Sequence, residues 1–146
     1  MSQAIIEAGI IRTIKLHADF DDGNCYLYDK RALGKGLARL VVVSYANMGK
    51  EELTLQIERR TWTYNVDVLV PWRGSLTELD TRVGTETQKV IDTLASYPRL
   101  NATADVQKAV MTAAATTDVI TERKGTYRGR RHNLVVFEIT NPGRAE

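Results

Sequence analysis

The sequence predicts an α+β domain of two layers, in which two helices pack on one face of a mainly antiparallel sheet of about four or five strands. Two observations lead to this prediction. Apolar residues alternate with period two over residues 62–70, which is typical of a half-buried strand. Elsewhere they repeat every three or four positions, near the N-terminus and again after Ser75, which is typical of amphipathic helices. The 146 residues fit a single domain, and residues 141–146 are expected to form a flexible tail.

The composition excludes several classes of protein. The chain has 20 basic and 18 acidic residues and a formal net charge of +2, so its overall charge indicates no particular partner. The single cysteine, Cys25, excludes an internal disulfide framework and is typical of a reducing cytoplasm. Glu7 and Arg12 interrupt the N-terminal apolar run, unlike a signal peptide, and no segment has the roughly 18 apolar residues of a membrane span. We therefore expect a soluble protein that is made in the cytoplasm and has no membrane partner.

The N-terminal part predicts one helix and two strands. Isoleucines at every fourth position form an apolar stripe that predicts a helix over residues 2–17. The segment ADFDDGN then ends the helix, because Asp, Gly and Asn favour turns. A short strand is expected at residues 25–29. The run LARLVVVSY at 37–45 is apolar on both faces, which predicts a central strand.

The phase of the alternation changes along the next segment. A turn is predicted at residues 46–52, after which Leu53, Leu55 and Ile57 occupy odd positions, whereas the later apolar residues occupy even ones. Because a shift of one residue sends each side chain to the opposite face, we predict a β-bulge or a bend at residues 58–61. The even positions then form the predicted core face of a strand, which consists of Trp62, Tyr64, Val66, Val68 and Val70.

The second helix begins at Ser75 with a capping box, since Glu78 follows three residues later. Pro98 ends it. Its apolar stripe consists of Leu76, Leu79, Val83, Val90 and Leu94. We expect the core face of the preceding strand to pack on the part of this stripe that carries Leu79 and Val83.

The last third of the chain leaves one alternative open. In residues 103–120 the alanines favour a helix, whereas the threonines, valines and isoleucine favour an extended segment. Residues 122–132, ERKGTYRGRRH, predict a basic turn, and NLVVFEIT at 133–140 predicts the final strand.

Motifs for metal binding and catalysis are incomplete. DFDDGN at 19–24 begins like a calcium loop, but the fifth and twelfth positions of that loop are not acidic ligands. GKG at 34–36 lacks the spacing of a phosphate-binding loop. Cys25, His17 and His132 share no zinc-ligand spacing, and neither histidine belongs to a nucleophile–base motif. We therefore predict no metal, no cofactor and no catalytic residue.

The remaining candidate surface is basic. The segment 122–132 places five cations around Tyr127, namely Arg123, Lys124, Arg128, Arg130 and Arg131. Such a segment can follow a phosphate backbone. It can equally be a solvated hairpin tip whose cations deter edge-to-edge pairing.

Several segments occur in a characteristic order after the helical start: RLVVVSY, IERRTWTYNVDVLVPW, a capped helix that ends in LASYPRL, and a closing HNLVVFEIT. This order, over residues 37–140, resembles the small tail-terminator (tail-completion) proteins of long-tailed bacteriophages. The resemblance implies a non-enzymatic virion protein, made in the host cytoplasm, that assembles into a six-membered ring. It also implies binding to the last ring of the tail tube, a surface for the head–tail connector, and passage of genomic DNA through the lumen.

The resemblance further implies how candidate residues are used. The basic segment from Arg123 to Arg131 would face the lumen or a neighbouring subunit. Trp72, with Arg59 and Arg60, is a candidate for the subunit interface, since Trp and Arg are enriched at binding hot spots; alternatively, Trp72 covers its own core. The other functions that fit the sequence are another neck protein, such as a stopper or connector, a nucleic-acid-binding module that uses residues 122–132, and a small enzyme.

Overall fold

The computed structural model describes residues 2–27, 39–72, 74–103, 105–112, 120–122 and 125–140. These residues form two helices and six strands. In chain order they are α1 (Ser2–Ile14), β1 (Cys25–Leu27), β2 (Leu40–Glu52), β3 (Glu58–Pro71), α2 (Leu76–Ser96), β4 (Val106–Thr112), β5 (Ile120–Glu122) and β6 (Gly125–Thr140).

The strands form one sheet in the order β1-β2-β3-β6-β4, with β5 beside β6. The short strand β1 runs parallel to β2, and every other described pairing is antiparallel. The predicted α+β class is therefore confirmed. Strand β3 lies at the centre, because it pairs with β2 from Leu40↔Leu69 to Glu52↔Glu58 and with β6 over its whole length.

The predicted core face of β3 is confirmed, since Trp62, Tyr64, Val66, Val68 and Val70 are all buried. The prediction that this face packs on the part of α2 with Leu79 and Val83 is only partly right. Val70 packs with Leu79 and Val83, whereas the other four residues share a cluster with the isoleucines of α1 and with the second half of α2. Two helices share this face of the sheet, and they contact different parts of β3. Both helices are needed to cover the strand.

Two predictions about the β2–β3 connection are wrong. Residues 46–52 are not a turn, because β2 continues to Glu52. The bulge lies in β2, between Tyr45 and Asn47, and β3 runs without a register shift through residues 58–61. The outer half of β2 is mostly exposed, and Met48 packs only partly against the core, so this half has no apolar alternation to reveal it. The odd-numbered apolar residues at 53–57 belong to the connection itself, so their phase carried no information about a strand.

Helix α2 begins as the sequence predicts, since the Ser75 side chain accepts a hydrogen bond from the backbone N–H of Glu78 (3.2 Å). Its predicted stripe is buried except for Leu76, which is half exposed. Leu76 lies in the first turn, ahead of Leu79, where contact with β3 begins. Leu76 therefore has the spacing of the apolar stripe, but no residue of the sheet faces it.

The remaining boundaries differ from the predictions in small ways. Helix α1 ends at Ile14 rather than at residue 17, and β1 ends at Leu27, while residues 28 and 29 lie outside the described residues. Within 103–120, residues 106–112 are a strand, so the extended alternative is correct there. Residues 113–119 and 141–146 lie outside the described part of the chain.

Candidate assembly surfaces

The basic segment is largely a strand. Residues 125–132 form the first half of β6, so the predicted turn is wrong over these residues. The hairpin alternative is closer, because β5 pairs with the start of β6 from Ile120↔Tyr127 to Glu122↔Gly125. Arg123 and Lys124 lie outside the described residues.

Because the segment is extended, its arginines alternate between the two faces of the sheet. Arg128 and Arg130 stand opposite valines of the β3 core face, on the side that the helices cover. Arg131 stands opposite Asp67, on the other side. The three described cations therefore do not form one continuous basic patch.

Two of these arginines form ion pairs within the domain. Arg128 Nε donates to Asp80 Oδ1 on α2 at 2.6 Å. Arg131 donates twice to Asp67, from Nε to Oδ1 at 2.8 Å and from Nη2 to Oδ2 at 3.0 Å. The Asp67 carboxylate also raises the pKa of Arg131 above its usual value. These arginines hold the fold together, which reduces their availability to an external phosphate.

Replacement of Arg131 by Ala is expected to destabilise the domain by about 2 kcal/mol, because it leaves the buried Asp67 carboxylate without its two donors. Urea unfolding of the wild type, Arg131→Ala, Asp67→Asn and the double variant checks this. The free energy of unfolding should fall less in the double variant than the sum of its decreases in the two single variants. Strictly additive losses would show that the pair does not couple.

The predicted interface residues lie at opposite ends of β3. Arg59 pairs with Glu51, and Arg60 Nε donates to Glu58 Oε1 at 2.8 Å, both near the start of the strand. Trp72 follows its last residue and is 43% exposed. About 40 Å of extended chain separates Trp72 from the two arginines. They therefore cannot form a single contact surface, although Trp72 is exposed enough to bind a partner.

An exposed apolar tip, which sequence reasoning interpreted as strand, lies in the connection between β2 and β3. We call Leu53, Leu55 and Ile57 the hairpin tip; Leu55 is 93% exposed. The turn is well fixed, since Leu53 N donates to Ile57 O at 2.9 Å, and the Thr54 hydroxyl accepts from the backbone N–H groups of Gln56 and Ile57. The signal in the sequence was the presence of three large apolar residues between the two acidic positions Glu52 and Glu58.

A groove lies beside β4, at one edge of the sheet. Of the described strands, only β6 pairs with β4, and the space between β4 and α2 has a volume of about 270 Å³. Ala109 N donates to Pro98 O at 2.6 Å, which joins β4 to the segment that follows α2. We call this the α2–β4 groove; it is lined by Ile91, Leu94, Ala95, Pro98 and residues 108–111.

The titratable groups of the core are engaged or buried. Burial raises the pKa of the Cys25 thiol to about 12, so at neutral pH it has little of the thiolate that a nucleophile needs. Burial, together with Glu7, raises the pKa of Tyr64 above its usual value, and the Tyr64 hydroxyl donates to Glu7 at 3.3 Å. Trp62 Nε1 donates to the buried Glu138 carboxylate at 3.1 Å. These side chains stabilise the core between α1 and the sheet.

A second depression, of about 520 Å³, lies over the first turns of α2 and is lined by Gly74, Thr77, Glu78, Thr81 and Arg82. The Thr81 hydroxyl donates to the carbonyl of Thr77.

Among the described residues, no group of three or more His, Cys, Asp or Glu side chains is arranged to hold a metal ion. No described helix is both long and apolar enough to cross a membrane.

No protein-family model matches this chain, and no curated protein matches it in sequence. The two surfaces that are exposed at opposite edges of the sheet are therefore the features from which a function can be argued.

Proposed function

We propose that the chain is a structural assembly protein, a tail terminator whose copies form a ring on the tail tube of a long-tailed bacteriophage. The observation that carries the proposal is the presence of two unlike exposed surfaces on one sheet. The outer half of the β2–β3 hairpin lies at one edge, and β4 with its groove lies at the other. A head-to-tail contact uses two different surfaces of each subunit, and it closes into a ring when the rotation between subunits permits.

Among the described residues, the outer edge of β2 is unpaired beyond residue 43, which supports a protein partner. Strand β1 pairs only with residues 41–43 of β2, so among the described strands none covers the outer edge of residues 44–52. Long open edges are usually shortened, covered or charged, because they invite pairing with another chain. Lys50, Glu51 and Glu52 charge the end of this edge, while residues 44–49 have no charged side chain. A subunit contact is the simplest use of such an edge.

The order of segments along the chain resembles that of the tail terminators. This resemblance supports a tail terminator among the possible assembly proteins. The quoted segments fall in β2, β3, α2 and β6, which are the elements that build the sheet and its helical layer. The proposed partners are further copies of the chain, the tail tube protein and the head–tail connector, with DNA passing through the ring in the virion. The proposed role is structural rather than enzymatic.

The rival functions differ in how well the described residues support them. A stopper or connector protein of the neck needs the same kind of exposed surfaces, so it remains the nearest alternative. A nucleic-acid-binding module is less well supported, because Arg128 and Arg131 are engaged in ion pairs on opposite faces of the sheet.

The purified chain is expected to form six-membered rings with an open centre as its concentration rises. Light scattering over a concentration series, with negative-stain images of the same samples, checks this. Purified tail tubes should bear the ring at one end and stop growing. A chain that stays monomeric and leaves tube growth unchanged would contradict the proposal. Salt-dependent DNA binding by that monomer would instead favour the nucleic-acid-binding alternative.

A further inference from the structure

We infer that neighbouring copies join by inserting the hairpin tip of one copy into the α2–β4 groove of the next. The inference rests on the proposed function, because it assumes that copies associate head to tail. It goes further in naming the side chains that form the contact and the kind of contact they make. Its two halves are both apolar and lie apart on the same sheet, since the tip ends the β2–β3 hairpin and the groove lies beside the edge strand β4.

The tip is suited to insertion because it is apolar, exposed and already ordered. Leu55 is 93% exposed, and burying a fully exposed leucine is a strong driving force for association. The hydrogen bonds across residues 53–57 hold the turn in one conformation. A preordered tip loses little conformational entropy on binding.

The groove is suited to receive an aliphatic side chain. Its lining includes Ile91, Leu94, Ala109 and Met111, so a leucine inserted there meets mostly carbon atoms. A volume of about 270 Å³ exceeds the ~150 Å³ of an engineered protein cavity that binds benzene. Methionine adapts its shape readily to an incoming side chain.

The tip does not fill the groove of its own chain, so the proposed contact joins two copies. Strands β3 and β6 lie between β2 and β4, and Leu55 is almost fully exposed although the groove is present in the same chain. The tip and the groove are different surfaces, so a contact between them is heterologous and passes from copy to copy.

Charges beside the two surfaces are complementary. Glu52, next to the tip, stands directly opposite Glu58, and like charges in that position repel each other. Glu58 accepts a hydrogen bond from Arg60. Lys108 is exposed and lines the groove. Neither Glu52 nor Lys108 is ion-paired with another described residue, so a contact between copies can neutralise both.

The first test changes each half of the contact separately. Leu55→Asp and Ala95→Arg should each raise the dissociation constant of the assembly at least tenfold, as measured by light scattering. Both sites are exposed, so the variants should unfold in urea like the wild type. Leu76→Asp is the matched control, because Leu76 is an exposed leucine outside both surfaces, and it should change the dissociation constant less than twofold.

The second test detects the contact directly by disulfide formation. Gln56→Cys, beside Leu55, is mixed with Ala95→Cys in the groove of a second chain, and the mixture is oxidised. The mixed dimer should form at least ten times faster than in a mixture of Gln56→Cys with Leu16→Cys, whose exposed site lies on neither surface. Cys25 does not interfere because it is buried.

The outcomes separate this inference from the proposed function. Wild-type rings that persist in both Leu55→Asp and Ala95→Arg, with no excess of the mixed dimer, overturn the tip-in-groove contact but leave the ring in place. Specific mixed dimers in open filaments support the contact and overturn the closed ring. Mixed dimers at the control rate from a chain that never assembles overturn both. Loss of assembly in only one of the two variants also overturns the contact.

Discussion

Val136→Asp is expected to abolish folding, with a loss of more than about 4 kcal/mol in the free energy of unfolding. Val136 is fully buried in β6 and stands opposite Trp62 on one side and Ala109 on the other. No cation faces it across these two registers. Glu138, two positions along the same face, is also buried, so a second carboxylate would add repulsion to the cost of desolvation.

A loss of this size is most of the stability of a typical domain. We expect Val136→Asp to be insoluble, or to lack a cooperative unfolding transition in urea. Val135→Asp is the matched control, since it makes the same change at the neighbouring residue, which lies on the opposite face and is only partly buried. It should remain folded and lose about 1 kcal/mol. Equal behaviour of the two variants would show that the faces of β6 are assigned wrongly.

Gly129→Ala is expected to destabilise the domain by about 3 kcal/mol through overpacking. A Cβ atom at this position would lie 2.6 Å from the backbone carbonyl oxygen of Val68 and would collide with the side chain of Leu69. Leu69 is buried, and the Val68 carbonyl belongs to the central strand. Neither can withdraw without moving β3 or β6, so glycine is required here by close approach.

Gly49→Ala is the control for this prediction. Gly49 is also a strand glycine, but a Cβ atom there meets nothing within 4 Å. The substitution should therefore leave the stability within about 0.5 kcal/mol of the wild type or raise it slightly. Urea unfolding midpoints of the three proteins provide the comparison, with far-UV circular dichroism to check the fold. A Gly129→Ala protein as stable as Gly49→Ala would mean that β3 and β6 are not packed as closely as described.

The close packing at Gly129 also bears on the basic segment. Gly129 lies between Arg128 and Arg130 in β6, and its contact with Leu69 brings this part of β6 close to β3. Close packing at Gly129 and the ion pairs of Arg128 and Arg131 indicate that these three residues serve the sheet. Among the described cations of this segment, Arg131, which is 45% exposed, and Arg130 are the ones left for a role in a ring lumen.

The sequence by itself determined the α+β class, the buried face of β3 and the start of α2. Each of these depends on local rules: side chains alternate along a strand, apolar stripes follow the helical repeat, and a serine with a glutamate three residues later caps a helix. Trp62, Tyr64 and Ser75 express these rules within a few neighbouring residues, so no knowledge of distant contacts was needed.

Only the tertiary structure decided where the exposed surfaces lie and what the charges do. The outer half of β2 has no alternation because most of its side chains are exposed, and its strand conformation comes from pairing with β3. The division of Arg128 and Arg131 between two faces follows from the register of β6, and their partners are 48 and 64 residues away in sequence. The α2–β4 groove exists only because β4 returns beside α2. Pairings between distant segments have no local signature, which is why the sequence could not reveal these features.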